Sequence, residues 1–255
     1  MNSNLQQFKN YYLAKINDPE FMKIDSNNER LRQRFLAEYP ISRIATLTLD
    51  EYALGKNDNN CFCHKMEFGD YGGMTCSISG YYAYMHGIWY KSEDNNYCYF
   101  ENGKTKVLDN PEEYWIRMRE QIVDCLEHPD PNVSIKKKYS LLYYMPRTIC
   151  KYLASYYPDK YINIASKQAY KFLYGNFGFK FDSNKSVEML SYELNQLIRK
   201  EIPEVNEHSP YALGLALYKY YEDNTDNEDR NDDEDDIMPD NKTNKKFDKN
   251  IILYG

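Results

Sequence analysis

Between Glu222 and Asp240 the chain carries eleven acidic residues against one basic, Arg230, and the stretch DNTDNEDRNDDEDD holds no apolar side chain. Such a segment cannot offset its own ordering entropy by burying surface, and its like charges repel. It reads as a disordered acidic linker over residues 222–246, although an acidic tail that mimics or repels nucleic acid has the same composition. The block divides the chain. A folded unit is expected over residues 1–221, and a short separate strand over 247–255. The block holds −10 of a net charge of −7, so the remainder carries +3.

The folded unit is long enough to bury a sizeable core. No stretch approaches the roughly 20 apolar residues of a membrane span, and MNSNLQQFKNYY lacks the order of a signal peptide, so a cytoplasmic location is expected. Six cysteines without framework spacing then read as reduced thiols.

Helical periods occupy both ends of the unit. Leu5, Phe8, Tyr12 and Ile16 repeat at helical spacing, as do Leu31, Phe35 and Leu36, with Ser26 as their expected cap. Residues 61–68 (CFCHKMEF), 76–91 and 97–107 read as strands, with Asn95-Asn96 and Asn102-Gly103 as turns. After Pro111 a helix is expected to run to the breaker His128-Pro129-Asp130-Pro131, and helical runs follow near 140–157, 166–175, 185–200 and 209–221. The expected fold class is α+β: a helix-rich single domain with a small antiparallel sheet in the middle of the chain.

Two surfaces carry chemistry. Between Lys136 and Lys171 there are eight basic residues against one acid, Asp159, interleaved with eight tyrosines. Lys136, Lys137, Lys138, Arg147 and Lys151 are the expected phosphate contacts, with rings beside them able to stack or hydrogen-bond; the competing reading makes the tyrosines helix core and the lysines its solvated face. The second surface is the segment from Tyr81 to Tyr90, where alternation places Met85 and Trp89 on one face and Tyr82, Tyr84 and His86 on the other. Tyr82, Tyr84, His86 and Trp89 could build a cage for an extruded base, against the plainer reading of a sheet packed between helices.

No catalytic residue or metal ligand is expected. The acid-x-lysine triplet of a metal-dependent nuclease occurs as Asp240-Asn241-Lys242, within the linker. Cys61-x-Cys63-His64 lacks a second paired motif, and a core thiol pair is the preferred reading.

Four blocks and the last strand resemble one family. They are YPISRIATLTLDEYALG (39–55), CFCHKMEF (61–68), SISGYYAYMHGIWY (77–90) and KYLASYYPDKYINIAS (151–166), followed by FDKNIILYG (247–255). In this order they resemble the N-terminal region of McrB-like AAA+ proteins, the nucleotide-driven subunits of modification-dependent restriction systems. The resemblance covers residues 29 to about 200 and again 247–255; Met85 and His86 stand where its pattern has Lys and Phe. It implies a specificity domain that recognises double-stranded DNA with modified bases, foremost modified cytosine, in antiphage defence. NIILYG would be the first strand of an AAA+ domain using GTP or ATP with Mg, so this chain itself would hold no cofactor and would not be an enzyme. The resemblance also implies an McrC-like nuclease partner, a hexameric full-length protein and a monomeric isolated fragment. A protein-sensing domain of a defence ATPase that does not touch DNA is the alternative.

Overall fold

A computed structural model describes residues 3–56, 60–74 and 83–225. Helix α1 (Ser3–Ile16) buries Leu5, Phe8 and Tyr12 along one stripe, and Asp18 separates it from α2 (Pro19–Glu38). The Asp18 carboxylate accepts a hydrogen bond from the Glu20 amide at 2.9 Å, and Pro19 supplies the fixed φ that a first helical position favours. Ser26 therefore lies inside α2 and does not cap a later helix; the helix begins about two turns before the expected start.

Two short helices, α3 (Ile41–Ile44) and α4 (Leu49–Tyr52), lead to α5 (Phe62–Glu67). The strand expected over 61–68 is thus a helix. Cys61 caps it through Sγ, which accepts from the His64 amide, and the buried Phe62, Cys63, Met66 and Glu67 share one helical face. Apolar residues four apart satisfy a helical period as readily as a strand's, and the local cap decides.

The sheet is three-stranded and antiparallel, in the order β1 (Ile88–Lys91), β2 (Asn96–Glu101), β3 (Lys104–Val107). Of the strand expected over 76–91, the described part is β1 preceded by a 3-10 turn at Ala83–His86; residues 75–82 lie outside the described residues. Asn102 and Gly103 both have positive φ, the backbone a tight hairpin between right-twisted strands needs. Trp89 pairs with Cys98 and Phe100 with Thr105, so Trp89, Cys98 and Phe100 turn one sheet face towards the interior.

Helix α6 (Pro111–Glu127) follows, capped by Asn110, then α7 (Ile135–Lys138) and α8 (Pro146–Tyr156). Helices α9 (Lys167–Phe177), α10 (Val187–Glu201) and α11 (Pro210–Asp223) complete the fold. The helical run expected over 140–157 begins as a 3-10 turn at Ser140–Leu142 and becomes α-helical from Pro146, whose ring starts a helix but cannot sit within one. Helix α11 includes Glu222 and Asp223, and the Tyr11 hydroxyl donates to Asp223 at 2.7 Å, so these two residues belong to the fold and not to the linker.

The core has two parts. One gathers Phe35, Tyr52, Phe62, Trp89, Trp115 and Tyr152 around the sheet, α2, α6 and α8; the other gathers Phe8, Tyr170, Tyr174, Leu194 and Leu217 from α1, α9, α10 and α11. Helix α8 joins them: Pro146 through Ser155 are all buried, with Leu153 in the first part and Cys150 in the second. Several tyrosines serve this interior by donating to backbone carbonyls: Tyr52 to His86, Tyr156 to Tyr39, Tyr157 to Leu126 and Tyr174 to Leu190.

The sheet is anchored to the preceding loop at Gly55. The Tyr90 amide donates to the Leu54 carbonyl at 2.7 Å, and Gly55 has φ +101° with its α-carbon turned at the Tyr90 carbonyl; an added Cβ would collide with that oxygen. Gly55→Ala is expected to destabilise the fold by about 2 kcal/mol or more, from left-handed strain and a backbone clash together. Urea unfolding of the two proteins measures this; a loss below about 0.5 kcal/mol, the level of ordinary surface changes, would contradict the anchoring.

Candidate nucleic-acid interface

The two residue sets singled out in the sequence meet in space, but largely inside the protein. Helix α8 packs against the Ala83–His86 turn, and the Thr148 hydroxyl donates to the Met85 carbonyl at 2.7 Å. Tyr152 Oη lies 3.4 Å from His86 Nδ1. Lys151 is 3 % exposed and its Nζ donates to Glu67 Oε2, on α5, at 2.5 Å. Arg147, at 9 % exposure, is also buried.

These positions revise the expected roles. Arg147 and Lys151 do not face solvent, and the Lys151 charge is already matched by Glu67, so neither is placed to hold a phosphate. His86 and Trp89 are buried as well. Strand alternation puts Met85 and His86 on opposite faces, but the 3-10 turn buries both. Tyr82 lies outside the described residues. Of the expected cage, Tyr84 is left half-buried.

Tyr84 heads a row of aromatic rings. It stacks on Phe100 of β2 with centroids 4.7 Å apart; Phe100 meets Tyr144 edge-on at 5.1 Å, and Tyr144 meets Tyr143 at 4.8 Å. The Tyr144 hydroxyl accepts from the Asn102 amide at 3.0 Å, which ties the row to the β2–β3 turn. Tyr143 is 42 % exposed, and Lys136 Nζ stands 5.5 Å from its ring centroid. Lys137 and Lys138 are exposed beside it on α7, Lys138 lying 3.4 Å from Asp124, and Lys104 is exposed at the start of β3. Lysines able to neutralise phosphates thus flank rings able to stack.

Sequence reasoning passes over Phe100, although alternation with Cys98 along β2 signals that it faces inward. Among the described residues no three His, Cys, Asp or Glu side chains come together as a metal site. No helix among them is long and apolar enough to cross a membrane.

No family model, curated protein or solved structure matches this chain. The functional reading therefore rests on the geometry and on the order of the sequence blocks.

Burial and the nearby Lys151 charge push the His86 imidazole down to about 3. The native protein then binds fewer protons than the unfolded chain between that value and the ordinary histidine value of about 6.5. Its contribution is full above pH 6.5 and is lost progressively as pH falls towards 3. His86→Gln, which cannot titrate, is expected to lose less stability than the parent between pH 7 and pH 4.5. Parallel denaturant curves at the two pH values test this, and equal losses would contradict the burial of a neutral His86.

Proposed function

We propose that this chain is a DNA-binding specificity module of an McrB-like restriction motor, and that it recognises duplexes carrying modified bases, modified cytosine foremost. The observation that carries the reading is the row Tyr84, Phe100, Tyr144 and Tyr143 ending beside the lysines of α7. Phosphate contacts supply affinity without sequence information, whereas a stacked or caged base supplies discrimination. The surface offers both. Lys136 and Lys137 are the phosphate contacts, with Lys138 partly engaged by Asp124. Tyr84 is the base-reading residue, because it is the described member of the expected cage that is not fully buried. Nucleotide hydrolysis with Mg and recruitment of an McrC-like nuclease are, in this reading, the work of the motor that the module serves.

Fluorescence anisotropy on matched modified and unmodified duplexes, repeated across salt concentrations, tests the proposal. Replacing Lys136 and Lys137 together with Ala should weaken both duplexes alike and flatten the salt slope by about 2, roughly 0.9 for each phosphate that is no longer neutralised. Tyr84→Ala, checked for folding by circular dichroism, should remove the preference for the modified duplex and leave weak general binding; the stacking removed is worth about 1–3 kcal/mol. Binding that is insensitive to salt, or no DNA binding at all, would overturn the proposal in favour of a protein-sensing domain.

A further inference from the structure

Helix α7, which carries Lys136, Lys137 and Lys138, does not cap itself. At four residues it is about one turn long, too short to be stable alone, and Ser134 at its N-cap position makes no side-chain capping bond. The amide of Ile135, its first residue, is buried and donates instead to Glu188 Oε1 at 3.0 Å, on α10 and 53 residues away in the chain. The residues that follow are held in the same way. The Tyr139 hydroxyl donates to Asp124 at 2.6 Å and the Leu141 amide to Gln121 Oε1 at 3.0 Å, both acceptors lying on α6. Burial of Ile135 and Tyr139 attaches the segment to the core, and side chains of two long helices fix its ends.

Glu188 stands out among these acceptors. It is 3 % exposed, and the Ser186 hydroxyl also donates to its Oε1, which sets the direction of the carboxylate. Its Oε2 is buried with no hydrogen-bond partner among the described residues. A carboxylate so placed is costly, and an apolar side chain of similar volume would serve the packing at least as well. What the carboxylate supplies, and an apolar group cannot, is an acceptor at the start of α7.

We propose that Glu188 is the positioning residue of the basic surface: it touches no DNA, and it holds α7 so that Lys136 and Lys137 are in place before a duplex arrives. Without it the first turn would have to be ordered on binding, at a cost on the order of 10-fold in affinity for each residue fixed. Charge alone predicts the opposite. Glu188 lies close enough to Lys136 for their charges to interact, and removing a negative charge from a phosphate-binding surface strengthens its attraction for DNA. The direction of the effect therefore separates positioning from electrostatics. The inference rests on the proposed DNA binding for its purpose and on the Ile135 hydrogen bond for its geometry.

Fluorescence anisotropy on modified and unmodified duplexes, together with hydrogen–deuterium exchange of the DNA-free protein, tests it on the full chain. Glu188→Ala should weaken both duplexes by about 10-fold and speed exchange over residues 135–139, with α9 exchanging as in the parent. Glu188→Gln, which keeps an oxygen for the Ile135 amide, should return both readouts to within about 2-fold of the parent. Should Glu188→Ala not fold, Ser186→Ala, which removes the hydroxyl that aims Oε1, is read in the same way. Tighter binding by both Glu188 variants, equal weakening by both, or unchanged exchange over 135–139 in Glu188→Ala would overturn the positioning role. So would a folded Glu188→Ala protein that binds DNA like the parent. Faster exchange in Glu188→Ala, alongside a parent that binds no duplex, would instead overturn the DNA reading and leave the positioning of α7 standing.

Discussion

The fold depends on a charge placed where water cannot reach it. Lys151 sits on α8, which is buried from Pro146 through Ser155 between both halves of the core, and Glu67 meets it from α5. An unpaired ammonium there would cost several kcal/mol, so α5 must dock with its carboxylate aimed at α8. Docking α5 fixes where the chain can leave towards Met74. Burial, with the nearby Lys151 charge, opposes protonation of His86, and the neutral imidazole lies against Tyr152. The Thr148 bond to the Met85 carbonyl closes the same junction. Sheet and helices are thereby held together through polar contacts made inside an apolar core.

This arrangement determines what is left for the surface. The basic segment divides by depth: α8 takes Arg147 and Lys151 inwards, while α7 presents Lys137 and Lys138 to solvent. The aromatic segment divides likewise, with His86 and Trp89 buried and Tyr84 at the edge. What faces outward is a short band on which Phe100 and Tyr144 support the rings at either end. Because Tyr144 is tied to the β2–β3 turn, the band has a fixed geometry and does not rely on a mobile loop.

Much of the architecture is legible in the sequence, and the misreadings have physical causes. Helix α6 announces itself through Asn110, Pro111 and a long apolar period, and the β2–β3 turn through Asn102-Gly103, since local chemistry decides both. CFCHKMEF misleads because Phe62 and Met66 suit a helix while Cys61 and Cys63 suit a strand; the decision lies in Cys61 acting as a cap. The depth of Lys151 is not written locally, because its partner is 84 residues away in the chain. The tyrosines divide between core and surface as the two competing readings of the basic segment allow: Tyr139, Tyr152, Tyr161 and Tyr170 are buried, Tyr143 is exposed, and Tyr156, Tyr157 and Tyr170 satisfy carbonyls.

The central claim is that DNA lies along the ring row and the lysines of α7. Hydrogen–deuterium exchange on the full chain, with and without a saturating modified duplex, tests it most directly. The account predicts slowed exchange over residues 136–145 and 100–104, with α9 and α10 unchanged. Slowed exchange confined to α2 and α11, or no change at the ring row under conditions where the duplex is bound, would contradict it.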